Sequence, residues 1–125
     1  MFRTMFRTTY RIVLALALTA LPALGGEPEI TSVSASKVGD TWRFDVTVRH
    51  ADTGWDHYAD GWRIFAPDGT ELGYRELLHP HVEEQPFTRS LSGVAIPGGV
   101  TDVILRAEDS VHGAGPDFPF ALPAD

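Results

Sequence analysis

The chain has 125 residues, 17 acidic against 10 basic, no cysteine and a formal net charge of −7. That length supports one domain with a real core and is too short for two. A negative field repels nucleic acid and anionic membrane surfaces, and it attracts cations or a basic partner. Without cysteine there is no disulfide frame, so an exported domain of this kind rests on its core alone, or on its core and a metal.

The N-terminus reads as a secretory signal peptide over residues 1–25. Arg3, Arg7 and Arg11 form a positive region without acids, and Ile12 to Leu21 is an apolar run. Pro22 breaks the helix, and Ala23, Leu24 and Gly25 give the small residues of a cleavage site. The apolar run is too short to span a bilayer as a mature helix, so no stable membrane anchor is expected after cleavage. The Met1–Thr4 segment repeats at Met5–Thr8, so either methionine can be the start. Removing Arg3, Arg7 and Arg11 leaves seven basic residues against 17 acidic ones, a net charge of −10 over residues 26–125. A bacterial periplasmic or secreted protein is the expected setting.

The mature chain, a single domain over 26–125, has a hydrophobic period of two. Ile30, Val33 and Ala35 mark a weak edge strand. Thr41 to His50 sets Trp42, Phe44, Val46 and Val48 on one face and Arg43, Asp45, Thr47 and Arg49 on the other, the pattern of a half-buried antiparallel strand. A third strand covers 61–66 and a fourth about 71–78, joined by the tight turn Pro67-Asp68-Gly69-Thr70. A fifth covers 87–95 and a sixth 101–108, with Val103, Leu105 and Ala107 on one face. A last short strand lies near 118–122, where Pro119 restricts it to an edge. Seven short strands separated by turns predict an all-β, antiparallel immunoglobulin-like or fibronectin type III-like sandwich, with Trp62 in its core.

In that topology the loops 51–60, 79–86 and 109–116 meet at one pole. All five histidines, His50, His57, His79, His81 and His112, fall in or beside them. Histidine is the commonest metal ligand, and long loops on a rigid scaffold are where binding sites sit. His79-Pro80-His81 is the sharpest local motif, because an extended backbone before proline can turn both imidazoles the same way. Neutral imidazole suits zinc, copper or nickel. The expected ligands of a divalent transition metal are therefore His79 and His81, with His112 completing the site and His50 or His57 with Asp52 as the variable members. The plain reading of the same histidines is that they bond loop backbone. Asp52, Asp56 and Asp60 are spaced by four, which does not match the alternating oxygens of a regular calcium loop.

Glu83 and Glu84 are adjacent and point apart. With no nucleophile motif or phosphate-cradling loop in the sequence, an enzyme is not expected. Arg89 reads as a carboxylate binder or as a surface arginine paired to an acid. The competing class of function is a structural or protein-interaction module in which Trp55 and Tyr58 are the anchors.

The runs DTGWDHYADGW, APDGTELG and LLHPHVEEQPFTRSL, with the tail Asp109 to Gly113, resemble a family of small, exported, uncharacterised bacterial proteins. The resemblance covers most of the mature chain. It implies export and a compact β domain, and it assigns no activity and no residue roles.

Overall fold

The computed structural model describes residues 26–124, so the signal-peptide segment lies outside the described residues. Eight strands follow one another: β1 (Glu29–Val38), β2 (Thr41–Arg49), β3 (Ala59–Phe65), β4 (Glu71–Glu76), β5 (Phe87–Val94), β6 (Asp102–Asp109), β7 (Gly113–Ala114) and β8 (Phe118–Ala121). They form two sheets, ordered β1-β2-β5 and β4-β3-β6-β7, with β8 also paired to β6. Every pairing is antiparallel, and no helix occurs among the described residues.

Seven strands were expected and eight are found: β8 matches the expected last strand, and β7 is an added two-residue strand inside the expected 109–116 loop. β7 pairs with the end of β6 at Glu108 and Asp109, and β8 pairs with its beginning from Asp102 to Leu105. Pro116 falls in the gap between the two, and Pro119 lies within β8, opposite Ile104. The edge strand at the N-terminus is longer than its weak alternation suggested, running ten residues against β2. β3 begins at Ala59 rather than Gly61, which shortens the preceding loop.

Alternation builds the core as the sequence implied. Trp42, Phe44, Val46 and Val48 from β2 face Trp62, Ile64, Val103, Leu105 and Ala107 from the other sheet, all of them buried. Trp62 lies fully buried between its register partners Arg75 and Ala107. The 66–70 hairpin closes with Ala66 N–H on Thr70 O at 2.8 Å and Thr70 N–H on the Asp68 carboxylate at 3.0 Å. Gly69 takes the positive φ of 93° that this turn needs.

One glycine marks a close backbone approach. Gly115 donates its N–H to Ala107 O at 2.8 Å, and a Cβ built on it would lie 2.1 Å from Pro28 O. The obstruction is backbone, so neither side can yield by a rotamer change. Gly115→Ala is expected to destabilise the fold by about 1–3 kcal/mol, the usual cost of forcing extra volume into a packed site. Urea unfolding measures this directly, and a midpoint equal to wild type would show that the segment before β1 is free to move aside.

Candidate functional site

The site is an extension of the strand pattern. His50 follows Trp42, Phe44, Val46 and Val48 in the inward phase of β2, and Asp109 follows Val103, Leu105 and Ala107 in the inward phase of β6. Both therefore enter the sandwich at its end, one from each sheet, and both are buried. His57 arrives from the β2–β3 loop, which turns back on itself through Thr53 N–H to His57 O at 3.0 Å and His57 N–H to Gly54 O at 3.1 Å. Tyr58 and Ser110 tie that loop to the β6–β7 turn by two bonds, Ser110 N–H to Tyr58 O and Tyr58 N–H to Ser110 Oγ.

Asp109 is the centre. Its Oδ2 lies 3.0 Å from His50 Nε2, 3.0 Å from His57 Nε2 and 3.0 Å from His112 Nδ1. His50 Nε2 and His57 Nε2 are 3.2 Å apart. The other carboxylate oxygen, Oδ1, accepts the N–H groups of Val111 and His112, and this local turn carries His112 back over the site. Burial pushes the Asp109 carboxyl toward its neutral form. The hydrogen bonds from the His112 side chain and backbone, His57 and Val111 outweigh that and hold it well below the usual carboxylate range. Asp109 is thus a fixed negative charge that does not touch solvent.

His50 has a carboxylate at each nitrogen. Asp52 Oδ1 is 2.5 Å from Nδ1, and Asp109 Oδ2 is 3.0 Å from Nε2. Asp52 also accepts from Ala59 N–H at 3.0 Å and from His81 N–H at 2.7 Å. A carboxylate only accepts, and a neutral imidazole has one N–H, so a neutral His50 satisfies one of its two neighbours and leaves a lone pair facing the other. If His50 gives its Nδ1–H to Asp52 and His57 also carries its proton on Nδ1 in place of donating to Asp109, three lone-pair atoms converge: His50 Nε2, His57 Nε2 and Asp109 Oδ2. These are the three that lie close enough together to hold a metal ion.

The six residues first taken as metal ligands separate into three groups. His50 and His57 join Asp109, with His112 at the exposed rim through its bond to Asp109. Asp52 is one step back, behind His50. His79 and His81, ranked first from sequence, stand apart from this cluster. The His81 ring stacks on Phe87 at 3.9 Å, and its Nε2 accepts from Arg89 at 2.8 Å. Since a guanidinium only donates, the His81 proton is on Nδ1, which is buried without a hydrogen-bond partner. His79 lies against His81 at 4.6 Å and is exposed. The backbone bends at His79, and the two rings lie tilted against each other with His81 turned onto Phe87 and Arg89. Arg89 has its acid as well, Glu84 at 3.5 Å. Asp56 is exposed and Asp60 is on β3, so the acids at 52, 56 and 60 do not converge. Trp55 is two-thirds exposed and packs edge-on against Tyr58 at 5.5 Å.

Asp109 was the residue missed. An acid after a strand reads as the start of a loop, and only its inward phase, two residues beyond Ala107, marks it as interior.

A protein of Halomicrobium mukohataei carrying the name "Putative lipoprotein" is 44% identical to this chain over 87 residues, covering 70% of the chain. The chain spans 41% of the length of that relative. No protein-family model matches the sequence, and no solved structure matches it.

His81 gives a pH signature separate from the cluster. Burial, then the nearby Arg89 and His79 charges, lowers its pKa from the ordinary histidine value. The unfolded chain thus takes up the proton first, so stability is full above about pH 6.5 and declines as the pH falls from there toward the lower folded value. In chelator-treated protein, His81→Leu is expected to flatten the loss of stability between pH 7 and 5, by at most about 1.4 kcal/mol per pH unit. Urea titrations across that range test it, and parallel curves for the two proteins would contradict it.

Proposed function

We propose that this chain is an exported, non-enzymatic binding module that holds a divalent transition metal, zinc or copper, at the end of its sandwich. The observation that carries the reading is the meeting of His50 Nε2, His57 Nε2 and Asp109 Oδ2 at 3.0–3.2 Å. An ion about 2.0–2.1 Å from each of its ligands sets tetrahedral neighbours roughly 3.3 Å apart, so little rearrangement is needed to admit one. His112 supplies a third imidazole and a fourth donor. Such a nitrogen-rich set without sulfur suits zinc or copper(II) over soft or purely oxygen-preferring ions.

Asp52 supports the same reading. A histidine ligand commonly gives its second N–H to a carboxylate, which fixes its tautomer and orientation, and the Asp52–His50 contact has that form. The sheet order β1-β2-β5 against β4-β3-β6 supports an immunoglobulin-like or fibronectin type III-like sandwich as the scaffold. The signal-like N-terminus, together with the name borne by the Halomicrobium relative, supports an exported, envelope-associated setting. The net charge suits cation binding and argues against nucleic acid.

Calorimetric titration of the chelator-stripped full chain with zinc and with copper(II) tests this. One ion per chain is expected, with a raised unfolding temperature. A hundredfold excess over Kd stabilises by about 2.7 kcal/mol. His50→Ala and Asp109→Asn are expected to abolish the thermal shift, while His79→Ala leaves it intact. A shift retained in His50→Ala and lost in His79→Ala would return the site to the His-Pro-His loop.

Asp52→Asn is expected to keep all metal ligands and weaken binding 10–100-fold, as changes to such supporting carboxylates typically do. Wild-type affinity in that variant would mean that His50 is oriented by packing alone.

A further inference from the structure

The loops that surround the metal cluster also carry most of the exposed apolar bulk. Six large hydrophobic side chains are exposed among the described residues, and four of them, Trp55, Leu78, Val82 and Val111, stand on these loops. Only Val38 and Tyr74 lie elsewhere. Four exposed apolar side chains on neighbouring loops of one pole suit an interaction surface, whereas single scattered ones are ordinary. Trp55 is the most favourable anchor, being large, two-thirds exposed and braced by Tyr58 at 5.5 Å.

The charge of the same loops selects the partner. Segments 50–58, 77–86 and 110–116 contain no lysine or arginine; Arg89 reaches in from β5 to pair with Glu84, and Asp56 and Glu83 stay exposed. Two copies of this pole would oppose acid to acid, and an anionic membrane would be repelled. A basic surface with an apolar recess is complementary.

We propose that the histidine pole docks a protein partner that presents an apolar anchoring pocket within a lysine- and arginine-rich face. The proposal rests on the metal reading for the order of the loops. His57 from one loop and Asp109 with His112 from another would share the ion, and Asp52 and Gln85 tie the third loop to His50. The metal then holds Trp55 and Val111 in one arrangement before the partner arrives, which lowers the ordering cost of association.

The test uses the zinc-loaded full chain and three synthetic peptides of equal length. One carries leucine and tryptophan among lysines and arginines, one has the same apolar residues among glutamates, and one has the basic residues with serines as the apolar replacements. Heteronuclear NMR reads binding through the Trp55 indole and the Val111 methyls. The first peptide is expected to bind at least tenfold more tightly than either other. Trp55→Ser is expected to remove that preference while leaving the zinc stoichiometry and affinity unchanged, and 0.5 M salt is expected to weaken it. Equal binding of all three peptides, shifts confined to other surfaces, or no binding of the basic apolar peptide at millimolar concentration would overturn the proposal. So would sedimentation showing a zinc-dependent dimer through this pole, or binding to neutral phosphatidylcholine vesicles that Trp55→Ser abolishes. If calorimetry shows no zinc bound, the metal reading fails separately, and the same peptides on the metal-free chain decide the docking surface.

Discussion

A single buried carboxylate oxygen, Asp109 Oδ2, organises the functional end of this molecule. Three histidine nitrogens from three places in the sequence stand 3.0 Å from it. Its partner oxygen takes two backbone N–H groups of the following turn. An ionised carboxylate without solvent contact is unfavourable unless every lone pair finds a donor or a cation. The shape of the β6–β7 turn, the return of the β2–β3 loop and the position of His50 all answer that requirement. The two sheets bring the strand ends together, and Asp109 gives those ends a reason to stay there.

Much of this was legible in the alternation of the strands. The sandwich, the inward set of β2 and the burial of Trp62 follow from a period of two and a few turn signals. The gathering of the histidine-bearing loops at one pole followed from alternating strand direction. The identity of the central residues was harder to read. His79 and His81 drew attention because they are near neighbours in sequence, but spacing along an extended chain says only that two rings share a side. Phe87 and Arg89, arriving from β5, decide what His81 faces, and that contact spans tertiary structure. His50 and Asp109 carried the better signal. Each is the next inward position of its own strand, and a polar residue in an inward phase has to find a partner inside. His112 had no such mark, because its direction is set by a turn that depends on Asp109 Oδ1.

Asp52 connects the two halves of the pole. One of its oxygens faces His50 and the other accepts the His81 N–H. Gln85 makes a parallel connection, accepting from His50 N–H and donating to His81 O. The His-Pro-His loop is thereby fastened to the residue that the metal would grip, although its own imidazoles stay out of the cluster. A connected network is more rigid than its separate bonds, and it fails as a unit when a central acceptor is removed. The β4–β5 loop can carry exposed Leu78 and Val82 because its backbone is held from beneath by this buried acid.

In the proposed metal site, two buried carboxylates would stand against one divalent ion. The Asp52 and Asp109 side chains are both 0% exposed, with the His50 side chain, 1% exposed, between them. A divalent cation held by neutral imidazoles would balance both, taking the place of the His57 proton beside Asp109. In a chain with no cysteine to cross-link its loops, the proposed ion would join β2, β6 and the loops that follow each of them. Those segments are distant in sequence and close in space. Fixing them through one centre is the constraint a disulfide would otherwise have supplied.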